Sequence, residues 1–263
     1  MVKPVDSSGS KGINKINGIS ELKNAYEQAT LFTRCGRIIL EEYIEKNRPQ
    51  IHGDGFVYNN RLVFTCLGDH YFKNDSTNFV PVSTMIPTQS DNEILREGLR
   101  QIDTVVNKLQ FGTGPINIEM IISKDNKPYI LEIGPRNGGN FIPQLMQYAT
   151  GADMVAWALD AALGQLKHDP SYFSSFKNSG CFSHYILHSE NNGIFDSIEI
   201  DDKLNEKILF KEIYKTKGDP VQVFKGSNCT IGVMILKYES VQEMNSIVHD
   251  MNDFVKINIR PIQ

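Results

Sequence analysis

The chain has 263 residues, 27 Lys and Arg against 31 Asp and Glu, and 40% apolar residues. That length holds one large domain or one domain with an appended module, and the composition is that of an ordinary globular protein. The mild acidity and the absence of a Lys/Arg run argue against a nucleic-acid partner, and no apolar stretch reaches the roughly 18 residues of a membrane span. Asp160 interrupts Met154–Leu163, and the opening Met-Val-Lys-Pro-Val-Asp lacks a secretory pattern. Cys35, Cys66, Cys181 and Cys229 stand far apart without a C-x-x-C pair and read as reduced thiols of a cytoplasmic protein without a metal role.

In chain order, the spacing predicts a strand at Met1–Val5, a Ser/Gly loop, and a helix after Ser20 with Leu22, Tyr26 and Ala29 on one face. A β-rich run follows at Arg37–Ile44, then strands at Gly55–Tyr58 and Leu62–Leu67 joined by Asn59-Asn60, a pair suited to a tight hairpin turn. Ser90-x-x-Glu93 has the form of a capping box ahead of Leu95, Leu99, Ile102, Val106 and Leu109, the stripe of a long amphipathic helix. Strands at Ile116–Ile122 and Tyr129–Gly134 come next, then helices near Asn140–Tyr148 and Asp153–Leu163 with Gly151 and Gly164 as stops. Past a subdomain boundary near residue 168, several short strands lead to a helix opened by Ser240-x-x-Glu243.

If the strands around residues 123–128 form a hairpin, cross-strand partners share a constant sum of residue numbers, which sets Glu119 opposite Glu132 and Ile122 opposite Tyr129. Asn117 then shares the glutamates' face, while Ile118, Met120, Leu131 and Ile133 take the other. Like charges directly opposed destabilise a sheet, so either both point into water or a hard cation such as Mg²⁺ bridges them. Gly134-Pro135-Arg136-Asn137-Gly138-Gly139-Asn140 follows, and Arg136 there either grips a carboxylate or phosphate or forms a surface ion pair. The segment from Lys3 to Gly12 is either a polyphosphate cradle, with Lys3 as a point charge, or a plain flexible turn. His52 and Asp54 read as polar strand-edge residues, with substrate contact as the alternative, and the remaining histidines show no ligand spacing.

Taken together, three stretches in order resemble the ATP-grasp superfamily, whose members include biotin carboxylase, carbamoyl phosphate synthase and carboxylate–amine ligases. Val2-Lys3-Pro4 with Ser7, Ser8, Gly9, Ser10, Lys11 and Gly12 resembles the family's phosphate-binding lysine strand and glycine-rich lid. Leu40-Glu41-Glu42-Tyr43-Ile44-Glu45 resembles its hinge strand. Asn117-Ile118-Glu119 and Leu131-Glu132-Ile133-Gly134-Pro135-Arg136 resemble its metal-binding strands. The resemblance implies ATP bound between two lobes, with main chain at Glu42, Tyr43 and Ile44 reading adenine, Glu41 accepting from its amino group, and Leu131 against the ring. It further implies Mg²⁺ on Glu119 and Glu132 and Arg136 steadying the developing charge; for the asparagine that completes the family's ligand set, either Asn137 substitutes from a different backbone position or a second ion is held more loosely. The expected reaction turns a small-molecule carboxylate into an acyl phosphate for attack by an amine or similar nucleophile.

Two departures stand out. Where many members carry E-x-N-x-R, this chain has Glu132-x-Gly134-x-Arg136, and it begins almost at the Lys3 strand, which suggests an N-terminal truncation. The expected fold is α+β, an ATP-grasp fold in three parts: a partial small lobe (1–38), a larger antiparallel-sheet lobe with helices on one face and the metal site (39–168), and a C-terminal α/β subdomain (169–263). Alternatives are a carbamoyl phosphate synthase-like or biotin carboxylase-like enzyme, or a truncated, non-catalytic nucleotide-binding fragment. Partners would then be a missing N-terminal half, another subunit, or a second copy in a homodimer. Substrate choice is expected to rest partly on the loop Phe72–Thr88.

Overall fold

A computed structural model describes residues 1–73 and 79–261, so part of the Phe72–Thr88 loop lies outside the described residues. Its frame is an eight-stranded, wholly antiparallel sheet in the order β10-β12-β8-β5-β4-β3-β6-β7. The strands are β3 (Ile51–Tyr58), β4 (Arg61–Tyr71), β5 (Ser83–Ile86), β6 (Gly114–Ile122), β7 (Pro128–Gly134), β8 (Cys181–Leu187), β10 (Ile208–Ile213) and β12 (Gly232–Tyr238). Three of them come from beyond residue 168, so the sheet crosses the expected division, which falls in the loop between α4 (Met154–Ala162) and α5 (Pro170–Ser175). β9 (Gly193–Ile200), β11 (Pro220–Val221) and β13 (Val255–Arg260) form a separate three-stranded sheet. No helix among the described residues is long and apolar enough to cross a membrane.

Helices cover both faces of the large sheet, not one as the sequence suggested. Strand alternation sends Val57, Ile116 and Ile118 to one face, where α2 (Asn92–Lys108) lays Ile102 and Val106 on them. On the opposite face Phe56, Phe64 and Phe182 meet α3 (Ile142–Thr150), α4 and α5 through Leu145, Met146, Trp157 and Phe173. A further core joins β8 and β12 to α7 (Val241–His249), α8 (Met251–Phe254) and the small sheet through Tyr185, Met234, Leu236, Met244 and Val248.

Several local expectations need correction. Asp91, not Ser90, caps α2, accepting from the backbone N–H of Glu93 and Ile94; Ser90 is buried and gives its own N–H to Thr88 Oγ1. Leu109 lies past the helix and is 71% exposed, outside the apolar stripe. Along α1 (Leu22–Thr30) the buried residues are Ala25 and Ala29, and Tyr26 faces out. The run at Arg37–Ile44 forms only the short β2 (Ile38–Leu40), paired with β1 (Val2–Pro4), and Glu41–Ile44 is not strand. α3 begins at Ile142 because Asn140 and Phe141 both take left-handed backbone, φ 53° and 61°. Other expectations match: Asn59 and Asn60 turn the β3–β4 hairpin at φ 49° and 64°, and Ser240 caps α7 through Glu243 N.

Candidate active site

The β6–β7 ladder sets Glu119 directly opposite Glu132, as the sequence register predicts. A bulge next to the pair then shifts the ladder by one residue, so Met120 faces Ile130 and Ile122 faces Pro128 instead of Tyr129. Ile130 and Ile133 pack with the α2 core, so Leu131 does not take the helix-facing place the simple alternation gives it. On the other side β6 pairs with β3, which puts His52 beside Glu119 and Asp54 beside Asn117.

Glu119 is the electrostatic centre of the site. Burial pushes its carboxyl up to about 7, the charge of Glu132 adds to the rise, and Lys3, Arg136 and a hydrogen bond from Gln50 partly offset it. Gln50 Nε2 donates to Glu119 Oε2 at 3.0 Å. The sequence-predicted lysine, the second carboxylate and the arginine therefore all act on Glu119, although they come from β1, β7 and the loop after β7. That loop is fastened to the sheet by Asp54, whose two oxygens accept from Gly138 N at 2.9 and 2.8 Å while Oδ1 also accepts from Asn117 Nδ2 at 2.8 Å. Burial raises the Asp54 carboxyl to about 6 against these bonds and the nearby Arg136. Arg136 itself is exposed and gives Nη1 to the Asn137 carbonyl at 2.9 Å.

Asn137 Oδ1 is buried without a hydrogen-bond partner among the described residues, although Nδ2 reaches the Met154 carbonyl at 3.4 Å. A buried acceptor left without a donor costs free energy unless a ligand satisfies it. The two opposed carboxylates are hard oxygen donors of the kind Mg²⁺ takes, and the orphan amide oxygen of Asn137, on the loop after β7, is a third donor of the same chemistry. Gly134 has ordinary room around it, with Asn117 Cβ and Arg136 Cγ both 3.7 Å from where its Cβ would stand.

The hinge and lid residues have other engagements. Lys3 forms an ion pair with Glu41, and the Glu41 backbone exchanges hydrogen bonds with Met1. The Lys3 ammonium and the Glu41 carboxylate are thus held by each other. Glu42 and Tyr43 are exposed, with Lys15 Nζ 3.8 Å above the Tyr43 ring, and Ile44 is half-buried. In the expected lid, Gly9, Ser10 and Gly12 all have positive φ (63°, 60° and 76°), a conformation that glycine adopts without steric cost. Ser10 Oγ donates to the Phe79 carbonyl at 2.8 Å, and Gly9 lies against Ser227. Ser7 is half-buried and Ser8 exposed, and no lid hydrogen bond among the described residues reaches the glutamates.

A row of buried polar residues that sequence spacing did not disclose continues across the sheet. His52 and His70 stack at 4.1 Å, both contact Thr84 Oγ1, at 3.3 and 3.0 Å, and His184 Nδ1 accepts from Thr84 N at 2.9 Å. His52 and Asp54 are therefore buried in a central strand and are not edge residues. Burial holds all three histidines neutral, His52 down at about 3, His184 at about 4 and His70 well below its usual value. Nitrogen and oxygen atoms of His52, His70 and Glu119 lie within 4.8 Å of one another. The rings are stacked at 14°, however, and lone pairs lie in the ring planes, so the two cannot aim at one ion as they stand. The one available signal was parity: His52, Asp54 and Phe56 share a strand face that turns from polar to apolar. A separate groove of about 520 Å³ beside β4, lined by Leu99, Arg100, Phe176 and Lys177, contains none of these residues.

The site therefore consists of a carboxylate pair on an antiparallel sheet, with the Lys3 strand and the glycine-bearing loop after β7 beside it. The family model of the ATP-grasp domain matches residues 1–140, and the chain belongs to that family. Among curated relatives it is 22% identical over 270 residues to "Uncharacterized protein y4rH" of Sinorhizobium fredii, covering 99% of this chain and 53% of that protein. It is 26% identical over 181 residues to a carbamoyl phosphate synthase large chain of Thermoanaerobacter sp., covering 66% of this chain and 16% of that one. The chain thus spans about half of the first relative and a smaller share of the second. Among solved structures, an L-amino acid ligase from Bacillus licheniformis superposes with a TM-score of 0.82 at 18% identity, over 98% of this chain and 63% of that one. The biotin carboxylase domain of a Hydrogenobacter thermophilus 2-oxoglutarate carboxylase, solved with MgADP and bicarbonate, gives 0.71 at 17% identity, over 98% and 57%. These likenesses establish the ATP-grasp fold.

Proposed function

We propose that the chain binds Mg²⁺ATP and serves an ATP-dependent ligase that activates a carboxylate as an acyl phosphate for attack by an amine. The observation that carries this reading is the Glu119–Glu132 pair opposed on the β6–β7 ladder of a chain that belongs to the ATP-grasp family. Glu119, Glu132 and Asn137 would hold Mg²⁺, which when bound neutralises phosphate charge and orients the phosphate oxygens. Lys3, released from Glu41, turns its ammonium to the phosphates, and the left-handed backbone of the Ser7–Gly12 lid leaves N–H groups for them. Glu41 then accepts from the adenine amino group, main chain at Glu42, Tyr43 and Ile44 reads the ring edge, and Leu131 packs against its face.

In the reaction an oxygen of the substrate carboxylate attacks the γ-phosphorus and the bond to the ADP oxygen breaks. Arg136 steadies the negative charge that develops. The amine then attacks the activated carbon, phosphate leaves with the bonding pair, and the nitrogen loses its proton. The biotin carboxylase domain solved with MgADP and bicarbonate and the carbamoyl phosphate synthase relatives favour bicarbonate as a second candidate acid. Screening small carboxylates and bicarbonate, each with and without amines, for Mg²⁺-dependent ADP release tests the proposal. We expect release that requires one acid and disappears in Glu132→Gln; turnover retained in that variant refutes it, and nucleotide binding without turnover for any acid favours a non-catalytic nucleotide-binding chain.

A further inference from the structure

Asp54 is wholly buried in the central strand β3, and none of the nucleotide roles proposed above uses it. A buried carboxylate is retained against a desolvation penalty, so its bonds indicate what it holds in place. They run to two elements at once. Through Asn117 Nδ2, at 2.8 Å, Asp54 grips β6 two residues before Glu119. Through Gly138 N, at 2.9 and 2.8 Å, it grips the loop directly after Arg136 and Asn137. Asn117 Nδ2 also reaches the Gly53 carbonyl at 3.1 Å and His52 Nε2 at 3.0 Å, which fixes the amide's orientation. Gly138 leaves no slack, because a Cβ there would stand 2.9 Å from both Asp54 Oδ1 and Ile142 Cβ.

We propose that Asp54 is a positioning residue: by clamping Gly138 N and Asn117 it sets Arg136 and Asn137 against the Glu119–Glu132 pair, and so governs phosphoryl transfer without touching the nucleotide. The proposal rests on the reading of the site given above. Asparagine has the same shape, but it offers Gly138 N one acceptor oxygen at most, or an opposing NH₂. A misplacement of about 1 Å in a group that acts on the transition state costs on the order of 100-fold in rate.

The test compares Asp54→Asn, Gly138→Ala and the double variant with the parent chain, reading ADP release, Mg²⁺ATP affinity by calorimetry, and the Gly138 amide by proton–nitrogen NMR. We expect kcat to fall about 100-fold in each single variant with Mg²⁺ATP affinity lowered only several-fold, in step with the metal, and the double variant to be no worse than either single, because both break the Gly138–Asp54 contact. The Gly138 amide proton should move upfield in Asp54→Asn, having lost its carboxylate acceptor, while amides of β7 stay in place. Unchanged kcat, equal losses in kcat and ATP affinity, or fully multiplicative single effects overturn the positioning role. If the parent chain shows no turnover, the ligase reading fails by itself, and the clamp is judged on Gly138 and on Mn²⁺ affinity. Asp54→Asn then lowers Mn²⁺ affinity several-fold if Asp54 places Asn137, and an unmoved Gly138 amide or an unchanged Mn²⁺ affinity refutes it. Should Asp54→Asn not fold, Gly138→Ala carries the kcat, ATP-affinity and Mn²⁺-affinity outcomes with Asp54 intact.

Discussion

Lowering the pH from 8 to 6 should weaken Mn²⁺ binding at the Glu119–Glu132 pair about tenfold. Glu119 is raised to about 7 by burial and by the opposed carboxylate, so at pH 6 it is mostly protonated and the metal must displace that proton. Affinity then falls about tenfold for each pH unit below 7 and levels off above it. His52 and His184 are held down at about 3 and 4 and His70 well below its usual value, so they remain neutral throughout this window, while Asp54, raised to about 6, is half protonated at its lower end and adds at most a factor of about two. Electron paramagnetic resonance of free Mn²⁺, without nucleotide, reads the affinity and avoids titration of the phosphates themselves. Lys3→Ala removes a cation that lowers the Glu119 carboxyl, so the step should move to higher pH. Affinities equal within twofold at pH 6 and 8, or a step that moves down in Lys3→Ala, would refute the coupling of these residues.

Three stability predictions follow from the fold and are read by urea denaturation. Asp91→Ala should cost about 1 kcal/mol through loss of the α2 cap, and Ser90→Ala less than about 0.5, because Asp91 receives the helix N–H groups. Asn60→Ala should cost about 1–2 kcal/mol, since Asn60 holds φ 64° and its Oδ1 accepts from Gly112 N at 2.6 Å. Trp157→Ala should cost about 3–5 kcal/mol, because the indole meets Phe56, Phe64 and Phe173 edge-on inside the α3–α5 core.

Local pairing was legible in the sequence and long-range pairing was not. The Glu119–Glu132 register followed from the numbering because the strands are joined by a short turn, and Asn59-Asn60 marked its hairpin because asparagine tolerates left-handed backbone. The bulge was hidden, since nothing in Tyr129-Ile130-Leu131-Glu132 says which residue drops out of the ladder. Gln89-Ser90-Asp91-Asn92-Glu93 offers several capping residues in a row, and burial of Ser90 settles the choice in favour of Asp91. The pairing of β5 with β8 joins residues about a hundred positions apart. Only that pairing brings His184 to Thr84 and carries the sheet past residue 168. Asp54 was visible as a polar residue on a strand, but its meaning needed Gly138, which reaches it only when the loop folds back.

Calorimetric titration of the 263-residue chain with ATP, with and without Mg²⁺, beside Lys3→Ala and Glu132→Gln, tests the nucleotide site most directly. We expect Mg²⁺ to tighten binding and both variants to weaken it. Binding indifferent to Mg²⁺, or variants that bind as the parent does, would contradict the assignment of Lys3 and the carboxylate pair to the phosphates and their metal.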